Sequence, residues 1–386
     1  MLKEKETQKL NTVEIVEVTT KAQLRKFVDY PNKLYHDNPN FVPAFYGDDI
    51  DDWDKKKNPA FDYCEARCFL AYRDGEIVGR IGAILSHRAN EKWETKRMRF
   101  TQVDFIDDIS VSSALFDTVE KWAKEKGCDE IHGPLGFTDM DREGMLVDGF
   151  DKRNMFITYY NEPYYNEHLE KLGYSKDTDW VEYKIYIPSL EDEQTVRIHK
   201  IAEHVIKRKK LRKVEVRTRF GYKPYIEKVF NLINEAYAPL YGTVHLSDKQ
   251  IKKYANKFIP LINPKYACFV MDEQNEIIAF GIAAPSVAAA IKKSNGRLFP
   301  FGWVGVLKAF NKNNALDLLL TAVRPDLQGS GINAVVIDHM LNNAAKNGMV
   351  YAESGPMLET NSKILAQWKL FDTELHKRRR CYIKKV

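Results

Sequence analysis

The chain has 386 residues, of which 44% are hydrophobic and 29% charged, and it carries a net charge of +5. This length favours two domains over a single core, and the composition is that of a globular protein. No apolar run reaches the roughly 20 residues of a membrane-spanning helix. The first ten residues, MLKEKETQKL, lack the apolar stretch of a signal peptide. The mild basic excess permits an anionic ligand but does not by itself indicate nucleic acid.

Cysteine usage indicates the redox environment. The chain contains five scattered cysteines: Cys64, Cys68, Cys128, Cys268 and Cys381. Their odd number and spacing argue against a disulfide framework and against a zinc site. We therefore expect reduced thiols, a cytoplasmic location and no bound metal.

In chain order, the first clear element is a hairpin. Residues 69–85, FLAYRDGEIVGRIGAIL, form two apolar runs around the turn Asp74-Gly75, which is typical of a tight β-hairpin. A helix is predicted over residues 114–127, ALFDTVEKWAKEKG, and it leads into a strand that ends at Gly133-Pro134. These elements define a first module.

A polar connector follows. Residues 188–213 place apolar side chains at helical spacing and end in the basic run KRKKLRK, residues 207–213. A second basic run, HKRRR, occupies residues 376–380, just before a predicted final strand around Cys381. We interpret both runs as solvated faces; binding to nucleic acid or anionic lipid is the alternative.

The order of elements then repeats. Residues 269–285, FVMDEQNEIIAFGIAAP, again form a hairpin, and residues 335–348 form a helix that leads to Gly355-Pro356. The same elements in the same order predict two tandem modules. We place their boundaries at 1–188 and 214–386, with residues 189–213 as the connector helix.

The second module contains a glycine pair where a helix begins. A strand over Ala315–Val323 is ended by Pro325, and Gly329 and Gly331 precede the next helix. A helix start leaves backbone N–H groups unpaired, and glycine allows an anion to reach them. The interpretation is a phosphate-binding loop; an ordinary glycine turn between strand and helix is the alternative.

The first module differs at this point. Extending the helix alignment backwards pairs residues 328–331, Gln-Gly-Ser-Gly, with residues 107–110, Asp-Asp-Ile-Ser. Aspartate caps a helix well, but it repels a diphosphate. We therefore predict that only the second module binds the anion and that the first is degenerate in this loop.

The loop resembles the acyl-CoA loop of the GCN5-related N-acetyltransferase (GNAT) superfamily, in which Arg or Gln is followed after two residues by Gly-x-Gly or Gly-x-Ala. The resemblance implies an α/β fold with a mixed sheet, and acetyl-CoA or another acyl-CoA as cosubstrate. The residues implied in cosubstrate binding are Val323, Gln328, Gly329, Ser330, Gly331, Ile332, Asn333 and Asn361. Asn333 departs from the small residue usual there, and Trp368 stands where the family often has a tyrosine that protonates the thiolate.

The first module resembles the same fold more weakly. Residues 133–151, GPLGFTDMDREGMLVDGFD, and 160–174, YNEPYYNEHLEKLGY, look like those of a large, little-characterised bacterial group with GNAT-type folds. Leu169 stands at its tyrosine position. The resemblance therefore covers most of the chain.

Transfer from a thioester to an amine needs a base, a polarised carbonyl and a released thiolate. In this fold, backbone amides beside two splayed strands usually polarise the carbonyl. Glu353 and Asp317 are the candidate bases, and a plain ion pair or a solvated side chain is the alternative role for each of them. Tyr351 and Tyr382 are the candidate replacement acids.

The sequence thus predicts an N-acyltransferase that moves an acetyl or other acyl group from acyl-CoA to an amine of a small molecule or peptide. The alternatives are an aminoacyl-tRNA-dependent transferase, motivated by the basic connector, and a non-catalytic acyl-CoA-binding protein, motivated by Trp368. The aromatic insertion at 286–311 is predicted to cover the acceptor side or to pack as core. A membrane-surface role is a further alternative for it, but we expect neither a membrane nor a nucleic-acid partner.

Overall fold

The computed structural model describes residues 12–386, so the amino-terminal decapeptide considered above lies outside the described residues. The chain divides into two compact units that are discontinuous in sequence. Unit 1 comprises residues up to Trp180, together with Ile291–Gly302 and Lys377–Val386. Unit 2 comprises Val181–Ala290 and Trp303–His376. The carboxyl-terminal residues therefore belong to the same unit as the start of the chain, a division that differs from the continuous boundaries proposed from the sequence.

Unit 1 follows a strand–helix–helix–strand order. Its elements before residue 175 are β1 (Glu14–Glu17), α1 (Lys21–Leu34), α2 (Tyr46–Asp52), β2 (Cys64–Arg73), β3 (Glu76–Ser86), α3 (His87–Trp93), β4 (Arg97–Phe105), α4 (Ile109–Glu125), β5 (Glu130–Gly133), β6 (Met145–Asp148) and α5 (Tyr164–Lys171). A 3-10 turn covers Pro59–Asp62.

Unit 2 repeats this order. Its elements are α6 (Glu193–Lys209), β8 (Arg212–Lys213), α7 (Ile226–Ala236), α8 (Asp248–Phe258), β9 (Ala267–Met271), β10 (Ile277–Pro285), α9 (Ala288–Lys293), α10 (Gly302–Asn311), β11 (Ala315–Val323), α11 (Ile332–Lys346), β12 (Tyr351–Ser354), β13 (Met357–Leu358) and α12 (Ser362–Gln367). The ends of α9 and α10 cross the unit boundary. Strands β7 (Ser175–Tyr186) and β14 (Thr373–Lys385) also contribute residues to both units.

Both units contain a mixed sheet, as the fold class inferred from the sequence requires. In unit 1, β1 to β4 pair antiparallel in chain order, β4 pairs parallel with β5, and the end of β14 pairs antiparallel with β5. In unit 2, β8 to β11 pair antiparallel, β11 pairs parallel with β12, and the end of β7 pairs antiparallel with β12.

Local sequence explains the boundaries of these elements. Asp74 and Gly75 have φ of 51° and 81°, the left-handed pair that a tight two-residue hairpin needs. Thr20 and Gln23 form a capping box at the start of α1. Gly348, with φ of 70°, follows the end of α11 as predicted.

Each unit packs a helix against its sheet. In unit 1, Val111, Leu115 and Phe116 of α4 are fully buried in the core beneath β3 and β4. In unit 2, Val335 and Val336 of α11 pack with Val205 of α6 over β9 and β10. The connector predicted at 189–213 is thus helical, and in unit 2 it forms part of the core.

Candidate functional site

The candidate site in unit 2 begins where two parallel strands separate. Strand β11 pairs with β12 only over Ala315–Leu318 and Tyr351–Ser354. The N–H of Gly355 closes the fork by donating to the Leu318 carbonyl at 3.0 Å. Beyond this point β11 continues to Val323 beside β10 alone. Residues 319–323 therefore present one edge that no strand of the described residues covers.

This edge carries a bulge. Ile282 of β10 pairs with Leu320, whereas its neighbour Ala283 pairs with Leu318, so that Leu319 is an extra residue. Bulges turn backbone groups away from the ladder, and they recur next to active sites. Leu319 therefore lies at the fork, where amide groups can face a ligand.

Side chains reach the uncovered edge. The Tyr237 hydroxyl donates to the carbonyl of Thr321 at 2.9 Å, and Nε2 of Gln328 donates to the carbonyl of Val323 at 3.3 Å. Both contacts lie on the side of β11 that faces away from β10. A strand edge held by side chains, and not by a partner strand, can exchange them for an extended ligand.

The glycine loop occupies residues 324–331, between β11 and α11. Gly329 and Gly331 have φ of 76° and 86°, a region that glycine enters at little cost. Gly331 is the residue that caps α11, and its lack of a side chain leaves the cap without a side-chain hydrogen bond. Among the described residues, none accepts a hydrogen bond from the N–H groups of Gly329, Gly331, Ile332 or Asn333. These four amides, at a helix start, form an anion-binding arrangement.

The two glycines have different surroundings. A Cβ atom on Gly331 would lie 3.1 Å from Cγ2 of Val205 on α6. A Cβ atom on Gly329 would meet nothing within 4 Å. Gly331 is therefore fixed by backbone conformation and by packing, whereas space beside Gly329 is open to a ligand.

Two residues of the following helix bear on the loop. Nζ of Lys363 donates to Oε1 of Gln328 at 3.1 Å, which places a cation beside the loop. Oδ1 of Asn361 accepts from the N–H of Ile364 and caps α12, as the position of Asn361 before a helix predicts. The sequence analysis did not single out Lys363, since one lysine in a polar helix carries no distinguishing signal.

The candidate bases lie just before the fork. Asp317 and Glu353 face each other on β11 and β12, and Asp317 is buried. Oε1 of Glu353 lies 2.7 Å from Nε2 of His376, whose side chain is 5% exposed. Glu353 is 16% exposed, so its carboxylate is the more accessible of the two acids. The structure brings these groups together; a catalytic role for them stays a prediction.

Tyr351 lies at the start of β12, two residues before Glu353 and on the same face of the strand. It pairs with Ala315, at the closed end of the strand pair, and its ring packs against Nζ of Lys184 at 4.7 Å. Trp368 lies in a 3-10 turn after α12 and donates from Nε1 to the sulfur of Met357 at 3.1 Å. This hydrogen bond directs the indole N–H towards Met357. Trp368 stands at the position where the GNAT resemblance implies a tyrosine.

The corresponding region of unit 1 has a different loop. Only residues 106–108 separate β4 from α4, and Asp108 caps the helix by accepting from the Ser110 N–H at 2.9 Å. The Ser110 and Arg73 side chains also donate to Asp108, and these hydrogen bonds lower the pKa of its carboxyl to about 2. The helix start thus has a built-in anion.

In unit 1, side chains fill the strand edge that corresponds to residues 319–323 of unit 2. The N–H of Phe105, the last residue of β4, donates to the Tyr165 hydroxyl at 2.8 Å. The Tyr164 hydroxyl donates to the Phe105 carbonyl at 2.6 Å. His168, on the same helix α5, stacks on the Phe105 ring and reaches Asp107 at 3.1 Å. Helix α5 therefore occupies the strand edge that is uncovered in unit 2.

The interpretation of the run HKRRR as a solvated face was wrong. His376, Lys377 and Arg379 are buried within β14. Arg378 and Arg380 instead bind the buried carboxylate of Asp179, Arg380 at 2.8 and 3.2 Å. The run continues directly into the predicted strand at Cys381. Treating both as one strand, in which side chains alternate between two faces, would have predicted that some of these residues are buried. His376 thereby becomes part of the candidate site.

One other cluster of chemically active side chains lies in unit 1. His132, Asp177 and Cys381 each place a potential ligand atom within 4.8 Å of the other two. Burial lowers the pKa of His132 to about 4. The Asp177 carboxylate also lies 3.5 Å from the Arg97 guanidinium. We assign no metal to this cluster, because a neighbouring guanidinium disfavours a second cation.

Comparison with known proteins identifies the fold. No protein-family model matches the chain. Protein YghO of Escherichia coli strain K12 is 27% identical over 372 residues, which cover 95% of this chain and 94% of that protein. The bacterial ceramide synthase of Caulobacter vibrioides is 27% identical over 296 residues, or 76% of this chain and 75% of that protein. A tandem GNAT protein from the clavulanic acid biosynthesis pathway superposes with a TM-score of 0.55 and 10% identity, over 97% of this chain and 98% of its own. The chain therefore has the GNAT fold, in tandem.

Proposed function

We propose that this chain is an acyl-CoA-dependent N-acyltransferase, with its donor site in unit 2 and an amine as acceptor. The observation that carries the proposal is the glycine loop, whose four unpaired amides stand at the start of α11 and at the end of the open strand edge. A diphosphate needs such donors, and the extended arm of CoA needs such an edge. The GNAT fold supports this class of transferase.

In this proposal, the amides of Gly329, Gly331, Ile332 and Asn333 bind the diphosphate, with Ser330 between them. Nζ of Lys363 adds a positive charge at the same loop. The pantetheine arm extends along residues 319–323, up to Val323, in place of the side-chain contacts of Gln328 and Tyr237. Oδ1 of Asn361 is engaged in capping, so that its amide group is the part left to donate to the arm.

The chemistry assigned to the fork is proton removal and carbonyl polarisation. Glu353 accepts a proton from the attacking amine, and His376 fixes the orientation of the carboxylate through their 2.7 Å contact. The N–H groups at the Leu319 bulge donate to the thioester oxygen as it gains charge. The new C–N bond forms, the C–S bond breaks, and the thiolate leaves with a proton from solvent.

The acceptor is proposed to be a long-chain amine. The relative in Caulobacter vibrioides is named as a ceramide synthase, and a ceramide is the N-acyl amide of a long-chain amino alcohol. The similarity supports an acceptor of this class. A chain that binds acyl-CoA without turnover is the second candidate, and Trp368 favours it because an indole has no acidic proton to give to a thiolate.

The test compares Gly329→Asp with Gly329→Asn. Both residues tolerate the positive φ of 76° better than other side chains, both have open space there, and they differ in charge. An aspartate about 5 Å from a phosphate costs about 3 kcal/mol at an effective dielectric constant of about 20. CoA affinity measured by calorimetry should therefore fall about a hundredfold in Gly329→Asp and only a few fold in Gly329→Asn.

Equal CoA affinities of these two folded variants would contradict the proposed donor site. Thiol release from acetyl-CoA and from a long-chain acyl-CoA, with a panel of short and long amines, then separates the two candidates. Binding with no release by any pair would favour the non-catalytic protein.

A further inference from the structure

The segment that connects β10 to β11 exposes large apolar side chains. Phe299 and Phe301 are 80% and 78% exposed, and Trp303 and Leu307 follow at 45% and 44%. We call residues 297–312 the aromatic segment. From the sequence we expected this insertion to cover the acceptor side or to pack as core, with a membrane-surface role as a further alternative; rings so exposed contribute little to a core. Exposed aromatic side chains in succession mark an interaction surface.

The same connection carries an unusual charge. Between Ser286 and Asn314 there are five basic residues, Lys292, Lys293, Arg297, Lys308 and Lys312, and no acidic residue. Because the whole chain has a net charge of +5, the remainder of the sequence is balanced. The net positive charge of the protein thus equals that of residues 286–314, the connection that also contains Phe299 and Phe301.

The connection is held in place from inside. Nζ of Lys292 donates to the carbonyl of Phe41 at 3.1 Å, and Arg297 binds Asp29 at 2.8 Å. The carbonyl of Gly296 accepts from the N–H of Tyr46 at 2.9 Å. Lys292 and Arg297 therefore anchor the base of the segment within unit 1. Lys293, Lys308 and Lys312 are exposed and can meet an external anionic surface.

We propose that the aromatic segment docks on the surface of an anionic lipid bilayer, with Phe299 and Phe301 inserted at the boundary of headgroups and acyl chains. Aromatic side chains favour this boundary, and flanking lysines gain from anionic headgroups. Across the described residues, no helix has the length and apolarity needed to cross a bilayer. The proposed attachment is to the bilayer surface, and it stands independently of whether unit 2 transfers acyl groups.

Charge argues against a second copy of the chain as the occupant. A symmetric contact would bring two identical surfaces together, each with Lys293, Lys308 and Lys312 exposed on a connection that itself contains no acidic residue. A bilayer that contains phosphatidylglycerol supplies negative charge and an apolar interior at the same place. Such binding weakens as salt screens the lysines, without vanishing, because the rings remain inserted.

The experiment measures flotation of the full chain with vesicles of phosphatidylcholine, with and without phosphatidylglycerol. The double variant Phe299→Ser/Phe301→Ser is compared with Phe220→Ser, which removes a ring that is 59% exposed in unit 2. The wild type and Phe220→Ser should bind anionic vesicles alike. The double variant should bind at least about tenfold more weakly, because two rings no longer leave water.

A second measurement locates the contact. All five native cysteines are buried, so a dye attached to a Phe301→Cys variant reports on residue 301. Its emission should shift to the blue with anionic vesicles, and a dye on Phe220→Cys should not respond. CoA binding and thermal melting of each variant show that the fold is retained.

Three outcomes overturn the proposal. The first is a wild type that does not float with anionic vesicles. The second is a double variant that binds them as well as the wild type does. The third is self-association in the absence of lipid, seen by sedimentation and abolished in the double variant, which would make the aromatic segment an interface between copies.

Discussion

The two units share a strand followed by a helix, but the connection between the strand and the helix differs. In unit 2, residues 324–331 lead from β11 to α11 and leave four amides unpaired. In unit 1, three residues make the same connection, and Asp108 satisfies the helix start. One unit therefore keeps an open, polar helix end, and the other closes it with its own side chains.

The adjoining strands show the same contrast. Arg80 pairs with Asp104 across β3 and β4, and their buried side chains form an ion pair at 2.6 Å. At the matching place in unit 2, Phe280 pairs with Ala322, and both are buried. In unit 1, the end of β4 therefore carries the Arg80–Asp104 ion pair and hydrogen bonds with Tyr164 and Tyr165. In the proposal above, unit 1 keeps the fold while its own side chains fill the strand edge that corresponds to the donor site of unit 2.

The largest expected effect concerns the number of sites. The wild type should bind one CoA per chain, because Asp108 and the two tyrosine hydroxyls occupy the equivalent groups of unit 1. Calorimetric titration of the wild type gives the stoichiometry, and Gly329→Asp should weaken binding at this one site about a hundredfold. A stoichiometry of two would break the comparison between the units.

The second effect concerns the fork in unit 2. Glu353→Gln should lower kcat by about 10²–10⁴, the usual contribution of a general base. CoA affinity should stay as in the wild type, because Glu353 lies before the fork and away from the glycine loop. The measurement is thiol release at saturating amine, with calorimetry on the same variant as the control. Unchanged turnover would leave the Glu353–His376 contact as a structural ion pair.

Sequence patterns predicted the elements of this frame more fully than its contacts. The strand Ala315–Val323 and the ends of α11 follow from proline, glycine and apolar periodicity, and these signals are local. The pairing of Glu353 with His376 is not local, since 22 positions separate the residues along the chain. The run HKRRR was misinterpreted for the same reason. Charge in a sequence indicates solvent until a partner such as Asp179 is placed beside it.

The unit 1 loop was predictable only in part. Asp107 and Asp108 before a helix indicated a helix cap, and the structure shows Asp108 as that cap; that it excludes an anion stays a prediction. Nothing in the sequence around Tyr164 and Tyr165 indicated that their hydroxyls would reach the end of β4, because that contact depends on where α5 packs. Helix periodicity indicates which face is buried, but not against which strand it lies.

The third prediction sharpens the comparison through the final strand of unit 1. Asp179 is buried and binds Arg378, Arg380 and Lys176. Burial alone would raise its pKa, but the hydrogen bonds and charges of these cations outweigh burial and lower it. Asp179→Asn should therefore reduce the free energy of unfolding by about 2–4 kcal/mol at pH 7, because the cations lose their counter-charge.

The sign of the pH dependence follows from the lowered pKa. The contribution of Asp179 is present above the ordinary aspartate value, about 3.9, and is lost as the pH falls below it. Urea unfolding at pH 7 and at about pH 3 measures both. Glu76→Gln, which breaks the exposed pair with Lys33, is the control and should cost much less stability than Asp179→Asn, because solvent screens an exposed pair. CoA binding by unit 2 should persist in Asp179→Asn.

The fourth prediction concerns residues 135–163 of unit 1, a region far longer than residues 355–361 in unit 2. Within it, burial raises the pKa of Asp139 to about 6, and Oδ1 of this residue is buried without a hydrogen-bond partner among residues 12–386. Folding is therefore penalised as the pH rises from about 4 to above 6, since the unfolded chain releases its proton earlier. Asp139→Asn should stabilise the protein by about 1–3 kcal/mol at pH 8.

This gain should vanish near pH 3, below both pKa values, where the carboxyl is largely protonated in the folded and in the unfolded state. Chemical denaturation across this pH range tests the sign. A variant destabilised at pH 8 would mean that the Asp139 carboxylate has a partner that holds it in its charged form.

The smallest effect concerns Trp368, the residue at which unit 2 departs from the expected acid. Leu169 of unit 1, at the corresponding position, is buried in α5 and also lacks a hydroxyl, so neither unit carries the acid. Trp368→Tyr should raise kcat up to about tenfold, since a general acid contributes about 10²–10⁴ when well placed and the new hydroxyl is not optimised. Trp368→Phe is the control, because it also removes the indole and its Met357 contact but adds no hydroxyl. A gain in Tyr over Phe, with equal CoA affinity, assigns the effect to the proton. Equal rates in the two variants would contradict it, and lower rates in both would show that the indole orders the acceptor, because loss of packing affects both rings alike.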